Sequence, residues 1–139
     1  MLRFIQIAAL FILVLFFSCE KQGLFVNCSD CTREEPTDTD VQMKVSVTDA
    51  DPSVPVRIYE GFLEDSILYS TFTAHMKNNY IKLTLNKLYT FTATYYVNGK
   101  KYVAVDSATP QVKYVKDKCD NACYFVYDKV VNLRLKYTK

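Results

Sequence analysis

The stretch Tyr89-Thr90-Phe91-Thr92-Ala93-Thr94-Tyr95-Tyr96-Val97-Asn98-Gly99-Lys100-Lys101-Tyr102-Val103-Ala104-Val105-Asp106-Ser107 decides the fold. Its two arms are rich in β-branched and aromatic residues, which suit a pleated, half-buried surface. Asn98-Gly99 between them tolerates the left-handed backbone of a tight hairpin turn. Two registers compete. A two-residue turn pairs Phe91 with Asp106 and Ala93 with Ala104, mixing a charge with apolar groups on one face. A three-residue turn, Val97-Asn98-Gly99, pairs Phe91 with Val105 and Ala93 with Val103, leaving Thr92, Thr94 and Tyr102 on the other. A one-residue slip reverses every side chain, so the uniform apolar face predicts the three-residue turn.

The same period of two extends outward from this hairpin. Val41, Met43, Val45 and Val47 alternate with Gln42, Lys44, Ser46 and Thr48, the pattern of a half-buried strand. Asp49 to Ser53 is a turn cluster, and Val54, Val56 and Ile58 alternate after it. Further strands are expected at Ile67–Ala74 and Tyr80–Leu85, with Met76 to Asn79 turning between them. The last two are expected at about Gln111–Lys116 and Tyr124–Tyr137, the second bent near Asp128-Lys129. No long stretch carries a helical stripe. About seven short strands separated by turns predict an all-β chain, a single sandwich over residues 41–139.

Leu83-x5-Tyr89-x-Phe91-x-Ala93 resembles the passage from strand E to strand F in fibronectin type III and related immunoglobulin-like domains. That resemblance implies an immunoglobulin-like sandwich. It also implies a tyrosine corner, in which the Tyr89 hydroxyl bonds back to the preceding loop's backbone. The chain differs from those domains in lacking tryptophan and the antibody-type disulfide spacing.

Ahead of the domain, Arg3 precedes an apolar run from Phe4 to Phe17 broken only by Gln6. The run is too short for a comfortable bilayer span and has the length of a signal peptide's apolar region. It ends Leu15-Phe16-Phe17-Ser18-Cys19, which resembles the lipobox of bacterial lipoproteins. The resemblance implies removal of residues 1–18 and acylation of Cys19, with palmitate-type chains holding the protein to a membrane. Residues 19–40 then form the lipidated terminus and a polar tether, flexible outside the Cys28–Cys31 segment. The expected location is the bacterial cell envelope, on the outer membrane, facing the periplasm or the surface. An ordinary secretory signal or an N-terminal membrane anchor is the competing reading.

The 139 residues less those 18 leave 121, enough for one domain. Loss of Arg3 leaves sixteen basic against fifteen acidic residues, a balance that argues against nucleic acid as a partner. Of five cysteines, Cys19 goes to lipid and Cys28, Cys31, Cys119 and Cys123 remain. An even number in an exported domain favours two disulfides. A four-thiolate zinc site and a redox pair at Cys28–Cys31 are the competing readings, so neither metal nor cofactor is expected. Three pairings are open. The local ones, Cys28–Cys31 and Cys119–Cys123, are preferred because each lies within reach in a turn. Cross-pairs would instead close loops of about ninety residues.

Catalytic chemistry is poorly provided for, and no enzyme is expected. His75 is the one histidine and stands at a strand end. Ser66, Ser70 and Ser107 lack the context of an activated nucleophile. Glu60, Glu64 and Asp65 share a loop and read as a solvated turn. Glycines stand singly at 23, 61 and 99, so no loop cradles phosphate. The remaining signal is tyrosine. Tyr95, Tyr96 and Tyr102 crowd the hairpin, and Tyr114, Tyr124 and Tyr127 stand near the second cysteine pair. Exposed tyrosines make contact surfaces and stack on sugar rings. The expected function is a non-catalytic binding or structural module, membrane-held by its lipid and docking with an envelope protein or a glycan. The alternative is a carbohydrate-binding accessory lipoprotein using Tyr95, Tyr96 and Tyr102.

Overall fold

Alternating apolar and polar residues produce the first strand, β1 (Asp38–Lys44), whose Val41 and Met43 are fully buried. The structure, a computed structural model, describes residues 26–136 of the chain. The expected signal peptide and Cys19 lie outside the described residues. β1 starts three residues ahead of Val41, so the tether is shorter than its pattern suggested. Eight strands follow: β2 (Val54–Glu60), β3 (Leu68–Ala74), β4 (Asn78–Thr84), β5 (Tyr89–Val97), β6 (Lys100–Ala108), β7 (Gln111–Val115), β8 (Cys123–Tyr127) and β9 (Val130–Asn132). The described residues form nine strands rather than about seven. The long last strand is broken at Asp128, whose φ of 55° cannot continue a ladder.

The strands form a three-stranded sheet, β4-β1-β9, and a four-stranded sheet, β3-β2-β5-β6. β9 runs parallel to β1 and the other pairs are antiparallel. Over β1–β6 the order is that of an immunoglobulin-like sandwich, with β9 beside β1 where such a domain carries its first strand. The core lies between the sheets. Val41, Met43, Leu83 and Val131 from one face meet Val54, Val56, Ile58, Phe91 and Ala93 from the other, all essentially without solvent exposure. Each such large side chain contributes about 1.5–3 kcal/mol on burial.

The hairpin takes the two-residue register. Phe91 pairs with Asp106, Ala93 with Ala104 and Tyr95 with Tyr102. Both turn residues are left-handed, Asn98 at φ 51° and Gly99 at φ 74°, the backbone that matches strand twist across a two-residue loop. Val103 and Val105, expected inside, are half exposed. The apparent misfit, Asp106, has a partner that β6 alone does not reveal. Its Oδ2 accepts from the Asn132 backbone N–H at 2.7 Å, and its Oδ1 from the Ser107 N–H at 2.9 Å. An inward carboxylate thus satisfies the end of β9 in the facing sheet.

The tyrosine corner also differs. Among the described residues the Tyr89 hydroxyl makes no bond to the preceding loop; its ring packs edge-on against Tyr69 at 5.4 Å. The structural hydroxyl is that of Tyr95, which donates to the Leu133 carbonyl at 2.6 Å and accepts from the Ser46 N–H at 3.1 Å. Ser46 Oγ accepts in turn from the Leu135 N–H at 3.0 Å. One buried phenol therefore joins both sheets to the C-terminal segment.

β7 and β8 pair as a separate hairpin. A 3-10 turn at Cys28–Asp30, with the Asn27 side chain accepting from the Ser29 N–H, brings the chain against it. Thr32 and Tyr124 exchange backbone hydrogen bonds of 2.9 and 2.8 Å. That contact sets Cys31 opposite Cys123 and Cys28 opposite Cys119, with Cα separations of 5.5 and 5.7 Å, inside the range disulfides need. Both cross-pairs form, so the preference for local pairs is corrected. The reason is a backbone pairing between segments some ninety residues apart. The Cys28–Cys31 segment, placed in a tether by its composition, is stapled to the fold.

Candidate functional site

Four strands of one sheet present an outer face as well as a core face, and the outward positions follow directly from the burial of the inward ones. On β2 these are Pro55, Arg57 and Tyr59; on β5, Thr90, Thr92, Thr94 and Tyr96; on β6, Lys101, Val103 and Val105. Register sets Arg57 beside Thr92, and Tyr96 beside Lys101. A groove of about 390 Å³ runs over these strands. Thr92 and Thr94 belong to it from the central strand β5. Tyr59 and Tyr96 supply aromatic surface, and Arg57 and Lys101 supply charge. Leu63, from the 3-10 turn Leu63–Asp65, closes one side. Neither cation forms an ion pair among the described residues, and no described residue lining the groove is acidic.

Elementary physics explains why this face holds a groove. Small threonines on β5 sit between long side chains on β2 and β6, so the centre of the sheet is low and its flanks are high. Thr90 and Thr92 are buried although they face outward. The Thr90 hydroxyl donates to the Gly61 carbonyl at 2.7 Å, which holds the loop after β2 over one end. The centre of the site rests on paired backbone, because β2 and β5 each have hydrogen-bonded neighbours on both sides, while β6 forms the sheet edge. Side chains on such strands are well positioned for recognition.

The three hairpin tyrosines do not form one platform. Tyr95 is buried in the core and Tyr102 packs half-buried beside it. Tyr96 points the other way, is 63% exposed and lines the groove. The two-residue register is the cause, since Tyr95 and Tyr102 share the inward face. Tyr59, Arg57 and Lys101 were missed by sequence reasoning. The available signal was the outward alternation on β2, combined with the Asn98-Gly99 turn that sets Lys101 opposite Tyr96. Tyr114 and Tyr124 lie 5.0 Å apart on the stapled hairpin, and the Tyr127 hydroxyl bonds Gln111.

Other candidate groups stay apart. His75 is exposed at the end of β3. Glu60 pairs with Lys87 at 2.9 Å, and that hydrogen bond raises the Lys87 pKa. Glu64 and Asp65 are exposed in their turn. The Cys31, Cys119 and Cys123 sulfurs lie within 4.8 Å of one another because the two disulfides are neighbours. All four sulfurs are in disulfides here, so none is a thiolate facing zinc, and Cys28 is bonded to Cys119 rather than to Cys31 as a CxxC redox pair requires.

No helix of the described residues is long and apolar enough to cross a membrane. No family model matches the chain, and no curated protein or solved structure shows significant similarity to it.

Proposed function

We propose that this chain is a lipid-anchored protein of the bacterial cell envelope whose sandwich is a non-catalytic binding module, contacting its ligand through the groove over β2, β5 and β6. The observation that carries this reading is the convergence of two cations, Arg57 and Lys101, which form no ion pair among the described residues, with Tyr59 and Tyr96 in one groove on the outer face of a sheet. Polar and aromatic side chains that converge on a concave surface are suited to ligand recognition. The two disulfides support an oxidising compartment. The lipobox resemblance at Ser18-Cys19 supplies the anchor. From Cys19 to the staple at Cys28 the chain spans at most about 30 Å, so an acylated Cys19 keeps the domain close to the bilayer.

Two measurements test this. Intact mass of the protein from its own membranes, before and after reduction, reports cleavage at Cys19, acyl mass and two disulfides together. A native chain starting at Met1, or unacylated at position 19, refutes the anchor. A photo-crosslinking residue placed at Tyr96 in living cells should form adducts more often than one at Lys82 on the opposite sheet. Equal yields refute the binding face.

A further inference from the structure

We infer that the groove over β2, β5 and β6 takes an acidic saccharide, a uronic acid-bearing glycan, in preference to a neutral one. This rests on the binding-module reading above and adds the ligand's chemistry. The groove's volume, about 390 Å³, suits a short saccharide segment rather than a protein surface. Tyr59 and Tyr96 offer rings on which the C–H face of a pyranose stacks. Thr92 and Thr94 bring hydroxyls, which both donate and accept, as sugar hydroxyls do.

Charge separates an acidic glycan from a neutral one. Arg57 presents a planar fork suited to a carboxylate, and Lys101 a point charge. Neither is neutralised by a described residue. Their backbone positions flank Thr92 and Tyr96, four residues apart on β5, or about 13 Å along the strand. A ligand that spans both positions is longer than one ring. An acidic peptide is the competing occupant. Peptides that bind sheets add along an open edge. This groove is centred on the face of β2 and β5, each paired on both sides, and opens across the sheet rather than along the β6 edge, where an added strand would pair.

The test uses the full-length protein purified in detergent, titrated by calorimetry with tetragalacturonate. Comparison ligands are its carboxyl-reduced neutral counterpart, galacturonic acid, inorganic phosphate and tetraglutamate. Tetragalacturonate should bind tighter than all four. Arg57→Gln, Lys101→Gln and Tyr96→Ala should each weaken it about tenfold, with Ser107→Ala, outside the groove, near wild type. All of these positions are exposed, and unchanged circular dichroism confirms that the variants fold. Equal binding of the carboxyl-reduced glycan overturns the inference, as does equal competition by phosphate or tetraglutamate. Tetragalacturonate binding insensitive to the three groove variants also overturns it. Adducts at position 96 without glycan binding refute the ligand class and leave the binding face standing; neither adducts nor glycan binding refutes both.

Discussion

Deleting the disulfides one pair at a time tests the topology most sharply, because neighbouring long-range bridges do not act independently. Cys28–Cys119 and Cys31–Cys123 span 91 and 92 residues. A cross-link closing a loop of that size constrains the unfolded chain by about 4.6 kcal/mol. With one bridge in place, the other closes only a ring of about nine residues, from 28–31 and 119–123, worth about 2.6 kcal/mol. Either bridge can be the redundant one. Cys28→Ser/Cys119→Ser and Cys31→Ser/Cys123→Ser should therefore each cost about 2.6 kcal/mol, while four serines should cost about 7 kcal/mol, some 2 kcal/mol beyond the sum. Local bridges would close rings of four or five residues, cost about 2 kcal/mol each, and add. Urea unfolding followed by far-ultraviolet dichroism reads the difference; at about 1–3 kcal/mol per molar, each pair deletion moves the midpoint by roughly 1–3 M. A quadruple variant unfolded in buffer while both pair variants fold gives the same answer. Additivity within about 0.5 kcal/mol, or a peptide map joining Cys28 to Cys31, refutes the reasoning.

Three further outcomes follow from the packing. Tyr95→Phe orphans the Leu133 carbonyl and Ser46 N–H and should cost about 1–3 kcal/mol in the same urea assay. Burial raises the Tyr95 pKa above 10.0, so the fold favours the neutral phenol; its contribution is whole below pH about 10 and declines as pH rises further, and Tyr95→Phe should flatten that alkaline loss. Val105→Lys should change stability by no more than about 0.5 kcal/mol, because Val105 faces solvent, whereas Ala104→Lys should cost about 1–3 kcal/mol by overfilling the inner face; the reverse ranking would restore the three-residue turn. Asp106→Ala should cost about 1–3 kcal/mol by stranding the Asn132 N–H, and Asp106→Asn clearly less, since its amide oxygen still accepts.

Local chemistry alone determined the all-β class and the place of most strands. The alternation at Val41–Val47, the Asn98-Gly99 turn and the break near Asp128-Lys129 are properties of residues close in the chain, and short-range sterics and periodicity decide them. Part of the candidate site is legible in the same way, since the position of Tyr96 beside the turn already marks it as a contact residue. What the tertiary structure alone decided involves partners distant in sequence. Asp106 fits an inward face only because Asn132 of the other sheet meets it. The cysteines cross-pair only because Thr32 and Tyr124 exchange backbone hydrogen bonds. Arg57, Tyr59 and Lys101 become one groove with Tyr96 only once β2 lies beside β5. The cost of closing such long loops, and the contacts that offset it, belong to the folded whole, and no window of local sequence contains both sides of that balance.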